Sequence, residues 1–124
     1  MLHQMKKALT VATLLTSALL SQQVFAHAHL SAAAPADKAE VSEAPKEITL
    51  TFTEGVEPSF SGVKVTDSNG KAVATGKAVA DKADNKVLRV PLSSDLTPGS
   101  YKVEWHVLSV DGHKTKGNYS FTRK

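Results

Sequence analysis

The chain has 124 residues, with 15 basic and 12 acidic side chains and no cysteine. That length supports one domain with one modest core. The missing cysteines exclude a disulfide framework and a thiolate metal site, and the small charge excess is far below what charge-driven nucleic-acid binding requires.

From the first residue, the chain reads as an export signal. Lys6 and Lys7 form a short basic stretch, residues 8–20 (ALTVATLLTSALL) are uncharged and mostly apolar, and Val24-Phe25-Ala26 sets modest or small residues at the −3 and −1 positions of a cleavage site. A run of thirteen residues is too short to span a bilayer, which takes about 20. The expectation is a signal peptide over residues 1–26 and a domain over residues 27–124. Cleavage after Ala28 satisfies the same small-residue pattern and stays open as the alternative. Loss of residues 1–26 removes two lysines, leaving 13 basic against 12 acidic residues. It also removes Met1 and Met5, the only methionines. The remaining domain then has no sulfur ligand, so any transition metal must be held by nitrogen and oxygen, donors that suit Cu(II), Ni(II) or Zn(II) and suit Cu(I) poorly.

Residues 31–46 are rich in Ala, Pro and charge, and Pro35 and Pro45 break any helix, so the spacing predicts an extended edge segment. In residues 48–53 (ITLTFT) Ile48, Leu50 and Phe52 alternate with threonines, the pattern of a half-buried strand. A turn is expected at 55–58. A strand over 60–66 follows, with Val63 and Val65 in phase, and then a hairpin turn at Asp67-Ser68-Asn69-Gly70. Residues 87–92 read as a strand, with Pro91 marking an edge or its end. After a turn at 96–99, Tyr101, Val103, Trp105 and Val107 give the strongest alternation in the chain, opposed by Lys102, Glu104 and His106. A last strand is expected from about 117 to 122, with Tyr119 and Phe121 inward. Short strands, regular turns and no helical period predict an all-β antiparallel sandwich with Greek-key connections.

Four histidines lie beyond the signal: His27, His29, His106 and His113. His106 is on a polar strand face and reads as a solvated side chain. Cleavage after Ala26 would make His27 a two-toothed ligand, offering its α-amine and its ring Nδ1. Asp111-Gly112-His113 follows the strand through Trp105. Residues i and i+2 of an extended chain share a side, so Asp111 and His113 can face one point; the bland reading is an Asp-Gly turn beside an exposed histidine. Taken together, one amine, two imidazoles and one carboxylate make the nitrogen–oxygen set that Cu(II) prefers, a histidine brace with His27, Asp111 and His113 as metal ligands. His29 stays ambiguous. It is either an outer partner of the site or the third-position histidine of a rival chelate that uses the terminal amine and two backbone amides. Glu54 is an outer-oxygen candidate, more simply read as a solvated acid.

These residues carry a resemblance. His27-Ala28-His29-Leu30, the strand to Phe52 with Glu54 behind it, Phe60-Ser61-Gly62, Leu96-Thr97-Pro98-Gly99-Ser100-Tyr101, Trp105 leading to Ser109-Val110-Asp111-Gly112-His113, and Gly117-Asn118-Tyr119-Ser120-Phe121 run in the order and spacing of the CopC family of periplasmic copper-resistance proteins, its YobA branch included. The resemblance implies a cupredoxin-like or immunoglobulin-like β-sandwich in the periplasm. It implies Cu(II) held by the amine and ring of His27, the ring of His113 and the carboxylate of Asp111, and it suggests a CopD-like inner-membrane protein as partner. Some members of the family carry a second, methionine-rich Cu(I) site; a domain without methionine departs from that pattern. The domain is read as a monomer, outside the bilayer, that binds copper and is not an enzyme. Two rival readings are a metal-free interaction module and a copper-dependent oxidative enzyme. Oxidative enzymes with a histidine brace need an open coordination position and a substrate surface, whereas the Trp and Tyr residues here fall at inward strand positions.

Overall fold

The computed structural model describes residues 28–124; the expected signal and His27 lie outside the described residues. Nine strands form two packed sheets: β1 (Leu30–Ala34), β2 (Glu40–Val41), β3 (Glu47–Phe52), β4 (Gly62–Asp67), β5 (Ala72–Val73), β6 (Val79–Ala80), β7 (Val87–Pro91), β8 (Gly99–Leu108) and β9 (Lys114–Arg123). One sheet has the order β1-β3-β7-β6 and the other β2-β9-β8-β4-β5. All pairings are antiparallel except β2 with β9. The all-β sandwich expected from the alternation is therefore the fold, with one short parallel edge added.

The core comes from the inward halves of the alternating strands. Ile48, Leu50 and Phe52 of β3 lie beside Leu88 and Val90 of β7 and face Val65, Val103, Trp105, Val107 and Phe121 from the other sheet. Phe52 meets Trp105 edge-on, with ring centroids 5.2 Å apart, the geometry in which a ring edge points at an electron-rich face. At the far end, Tyr101 Oη donates to the carbonyl of Thr97 at 2.5 Å. That bond gives the turn before β8 a buried anchor of the tyrosine-corner type.

Two local expectations need correction. Phe60 does not begin β4. It ends a 3-10 turn (Pro58–Phe60) and is 67 % exposed, because Pro58 starts the turn and β4 opens only at Gly62. β9 begins at Lys114 and not near Gly117; its outward lysines hide a period that Thr115 and Gly117 keep on the inner side. Pro91 marks the end of β7, one of the two readings it carried; β7 is an interior strand, and Pro91 lies beyond the two residues of β6, which pair only with Leu88 and Arg89. The two-residue strands β2, β5 and β6 are too short for any period to reveal them.

Trp105 and Gly117 are directly paired across β8 and β9. A Cβ added at Gly117 would lie 2.5 Å from Trp105 Cζ2, well inside contact distance, and neither the strand nor the indole can yield easily. Gly117→Ala is expected to destabilise the domain by about 1–3 kcal/mol, the usual cost of overpacking. Denaturant unfolding followed by the fluorescence of the single tryptophan measures it, and unchanged stability would show that the indole is not wedged there.

Candidate metal centre

Two ties bring the site together at one end of the sandwich. The first holds the start of the described chain. Ala28 is fully buried, and its carbonyl accepts a hydrogen bond from Thr115 Oγ1 of β9 at 2.9 Å. The next residue is fixed to the other sheet: His29 N donates to Thr53 Oγ1 at 3.0 Å, and Thr53 N donates to the His29 carbonyl at 2.9 Å. Residues 28 and 29 thus bridge the gap between the two sheets.

The second tie is the β8–β9 hairpin. Beyond Leu108 the chain turns through Val110, Asp111 and Gly112, with Gly112 at φ +90°, and returns at Lys114. Ser109 N donates to the His113 carbonyl and Gly112 N to the Ser109 carbonyl, both at 2.9 Å. The β3–β4 connection braces this turn from outside. Val110 N donates to the Gly55 carbonyl at 2.9 Å, Glu57 N to the Leu108 carbonyl at 2.8 Å, and Leu108 N to Ser61 Oγ at 3.1 Å.

The hairpin sets Asp111 Oδ1 3.2 Å from His113 Nδ1, with both side chains about half exposed. The same oxygen lies 3.4 Å from His113 N and accepts a short hydrogen bond from Ser109 Oγ. The expected convergence of Asp111 and His113 is present, and its cause is a turn and not an extended chain. The Asp-Gly turn and the Asp–His pair, weighed as alternatives in the sequence, are one structure. The hydroxyl of Ser109, and after it the bond to His113, hold the Asp111 carboxyl below its ordinary value of 3.8, since hydrogen bonds to the charged form favour it.

The other candidates fall as follows. His27 lies outside the described residues. His29 and Glu54 are exposed at this end of the fold. The third-position chelate needs the amides of residues 28 and 29 turned to the metal. One of those residues is buried and the other donates its amide to Thr53, so that chelate would have to peel the segment off both sheets. His106 is exposed on the outer face of β8, its ring against Gly62, away from the hairpin. Among the described residues no three His, Asp or Glu side chains converge on a metal position; Asp111 and His113 supply two donors, an imidazole and a carboxylate. Ser109 and Thr115 went unread as functional residues. Their signal was present: each is a hydroxyl at an inward position of an otherwise apolar alternation.

A cysteine-free two-sheet sandwich with a nitrogen–oxygen pair on its last hairpin defines the class. The CopC domain model matches residues 30–124, and the chain belongs to that family. Protein YobA of Escherichia coli K12 is 50% identical over 111 residues, covering 90% of each chain. Copper resistance protein C of Xanthomonas campestris is 38% identical over 120 residues, covering 93% of this chain and 94% of that one. Among solved structures, CopC from Methylosinus trichosporium OB3b aligns with a TM-score of 0.74 and 38% identity over 79% of this chain and 94% of its own. PcoC, a methionine-rich copper resistance protein from Escherichia coli, aligns at 0.71 and 36%, over 80% of this chain and all of its own. The family is thus one of copper resistance proteins.

A carboxyl whose value is depressed by folding adds stability above its ordinary value and loses it as pH falls through the lowered folded value. In the metal-free protein, an NMR titration of the Asp111 side-chain carbon is expected to give a midpoint below 3.8. A midpoint at or above that value would mean that the serine contact is not formed.

Proposed function

We propose that this chain is a periplasmic Cu(II)-binding protein of copper homeostasis. Its centre forms only after export, when removal of residues 1–26 frees the amine of His27 and leaves a domain of residues 27–124. The α-amine and ring Nδ1 of His27, the ring of His113 and the carboxylate of Asp111 hold the ion.

The observation that carries this reading is the hydrogen bond from Thr115 to the Ala28 carbonyl. His113 and Thr115 are two positions apart, about 7 Å along a strand, and His27 is joined to Ala28 by one peptide unit, about 3.8 Å between Cα atoms. An amine created at residue 27 therefore starts from a fixed backbone beside the Asp111–His113 pair. The donor chemistry supports the divalent ion. Nitrogen and carboxylate oxygen without sulfur favour Cu(II) over Cu(I), and the only methionines are in the segment that is removed.

The role is to capture and buffer copper outside the cytoplasm and pass it to a CopD-like protein of the inner membrane. Support for transfer comes from the copper transport protein CutJ of Bacillus subtilis, 34% identical over 103 residues. The match covers 83% of this chain and 19% of that longer protein, so a domain of this kind is there part of a transport protein. No catalytic group is assigned.

Two outcomes test the centre. One equivalent of Cu(II) is expected to bind a protein beginning at His27 and to give a nitrogen-rich electron paramagnetic resonance (EPR) spectrum. With one extra residue ahead of His27, affinity is expected to fall by at least about tenfold, 1.4 kcal/mol, in a competition titration; equal affinity would remove the amine from the ligand set. His113→Ala is expected to lose one nitrogen from the EPR pattern, and an unchanged pattern would assign the copper to the His29 chelate instead.

A further inference from the structure

The inward face of β8 reads Tyr101, Val103, Trp105, Val107, all buried. The next position in phase is Ser109, which is 1 % exposed. Every other buried side chain in the described core is apolar or aromatic. A buried hydroxyl costs free energy unless it is bonded, and an apolar residue would continue the pattern without that cost. Where a chain breaks its own pattern at one buried position, a functional demand is the first place to look.

Among the described residues, the bonds of that hydroxyl run to two residues, Asp111 and His113. Ser109 Oγ donates to Asp111 Oδ1, accepts from His113 N at 3.2 Å and lies 3.1 Å from the His113 carbonyl. A hydroxyl has a single proton, and of the two acceptors in reach the carboxylate binds it more strongly. The partners of Asp111 among the described residues all fall on Oδ1: the Ser109 hydroxyl, the His113 amide and His113 Nδ1. The carboxylate is therefore held by one oxygen, while Oδ2 takes no hydrogen bond from the described residues. The backbone of Ser109 is fixed as well, through its bridge to Val56 and its amide bond to the His113 carbonyl, so the hydroxyl acts from a rigid base.

We infer that Ser109 is a positioning residue for the copper centre: it locks Asp111 Oδ1 and the His113 backbone so that Asp111 offers Oδ2 as a single-oxygen ligand alongside the His113 ring. The inference rests on the Cu(II) reading above. It adds the residue that orders two of the ligands before the ion arrives, and it names the carboxylate oxygen that binds. Outer partners of metal ligands that act in this way change affinity by roughly ten- to a hundredfold when removed.

The test uses the protein beginning at His27 and Cu(II) as the probe, with affinity from chelator competition and ligand geometry from EPR. Ser109→Ala is expected to bind about ten- to a hundredfold more weakly and to show a changed copper hyperfine splitting while still taking up one equivalent. Ser109→Thr and Ser109→Val share one shape and differ only in the hydroxyl. Thr is expected to restore the wild-type spectrum, whereas Val behaves like Ala. Wild-type affinity and an unaltered spectrum in both Ala and Val would overturn the inference while leaving the copper centre intact. A wild-type protein whose copper spectrum lacks the His113 nitrogen would overturn the centre and this inference with it. If the β-branched pair does not fold, Ala against wild type decides; if Ala does not fold, Thr against Val decides.

Discussion

One hydrogen bond, from the Thr115 hydroxyl to the carbonyl of Ala28, determines what the rest of this end of the molecule can do. It is donated from β9, close behind the hairpin, and received 87 positions earlier in the chain. Ala28 is small enough to be covered completely, and its burial fixes the segment that leads into β1. The neighbouring bonds of His29 to Thr53 anchor the same segment to the opposite sheet. The chain entry is therefore sewn to both layers before it reaches β1, and the Asp111–His113 pair sits beside that seam.

The hairpin is built to a matching stiffness. A turn with two half-exposed ionisable side chains would normally be mobile. Here the β3–β4 connection clamps its outside through Gly55, Glu57 and Ser61, and Ser109 clamps its inside. The arrangement places flexible chemistry on a rigid mount, which a metal site requires if its ligands are not to be reorganised on binding. It also explains the depressed carboxyl of Asp111: the bonds that aim it are the bonds that favour its charge.

Much of this was legible in the sequence, because strand periodicity is written by solvent on one side and core on the other. Ile48, Leu50 and Phe52, and Tyr101 through Val107, could be assigned to their faces without coordinates. Asp111 and His113 could be paired, though for the wrong geometric reason, since their approach depends on a positive φ at Gly112 that spacing alone does not reveal. Phe60 misled because an aromatic residue near a valine alternation looks like part of it, while Pro58 starts a tight turn that leaves it in solvent. The full length of β9 was masked by lysines whose alternate neighbours are a threonine and a glycine, neither of which looks like core. Ser109 and Thr115 could be noticed as hydroxyls at inward positions, but their partners could not, because which groups a hydroxyl bonds is set by the fold and not by the strand period.

The seam between Ala28 and Thr115 has a topological consequence. A tie across 87 residues encloses nearly the whole domain, and loops of that length are the ones whose closure most restricts an unfolded chain, by about 4–5 kcal/mol when the tie is covalent. This chain has no cysteine with which to make such a tie. In the proposed centre, an ion held between His27 and the last hairpin would circularise the fold reversibly, as a clasp that exists only while the ion is bound, so a loaded molecule and an empty one would differ in resistance to unfolding as well as in content.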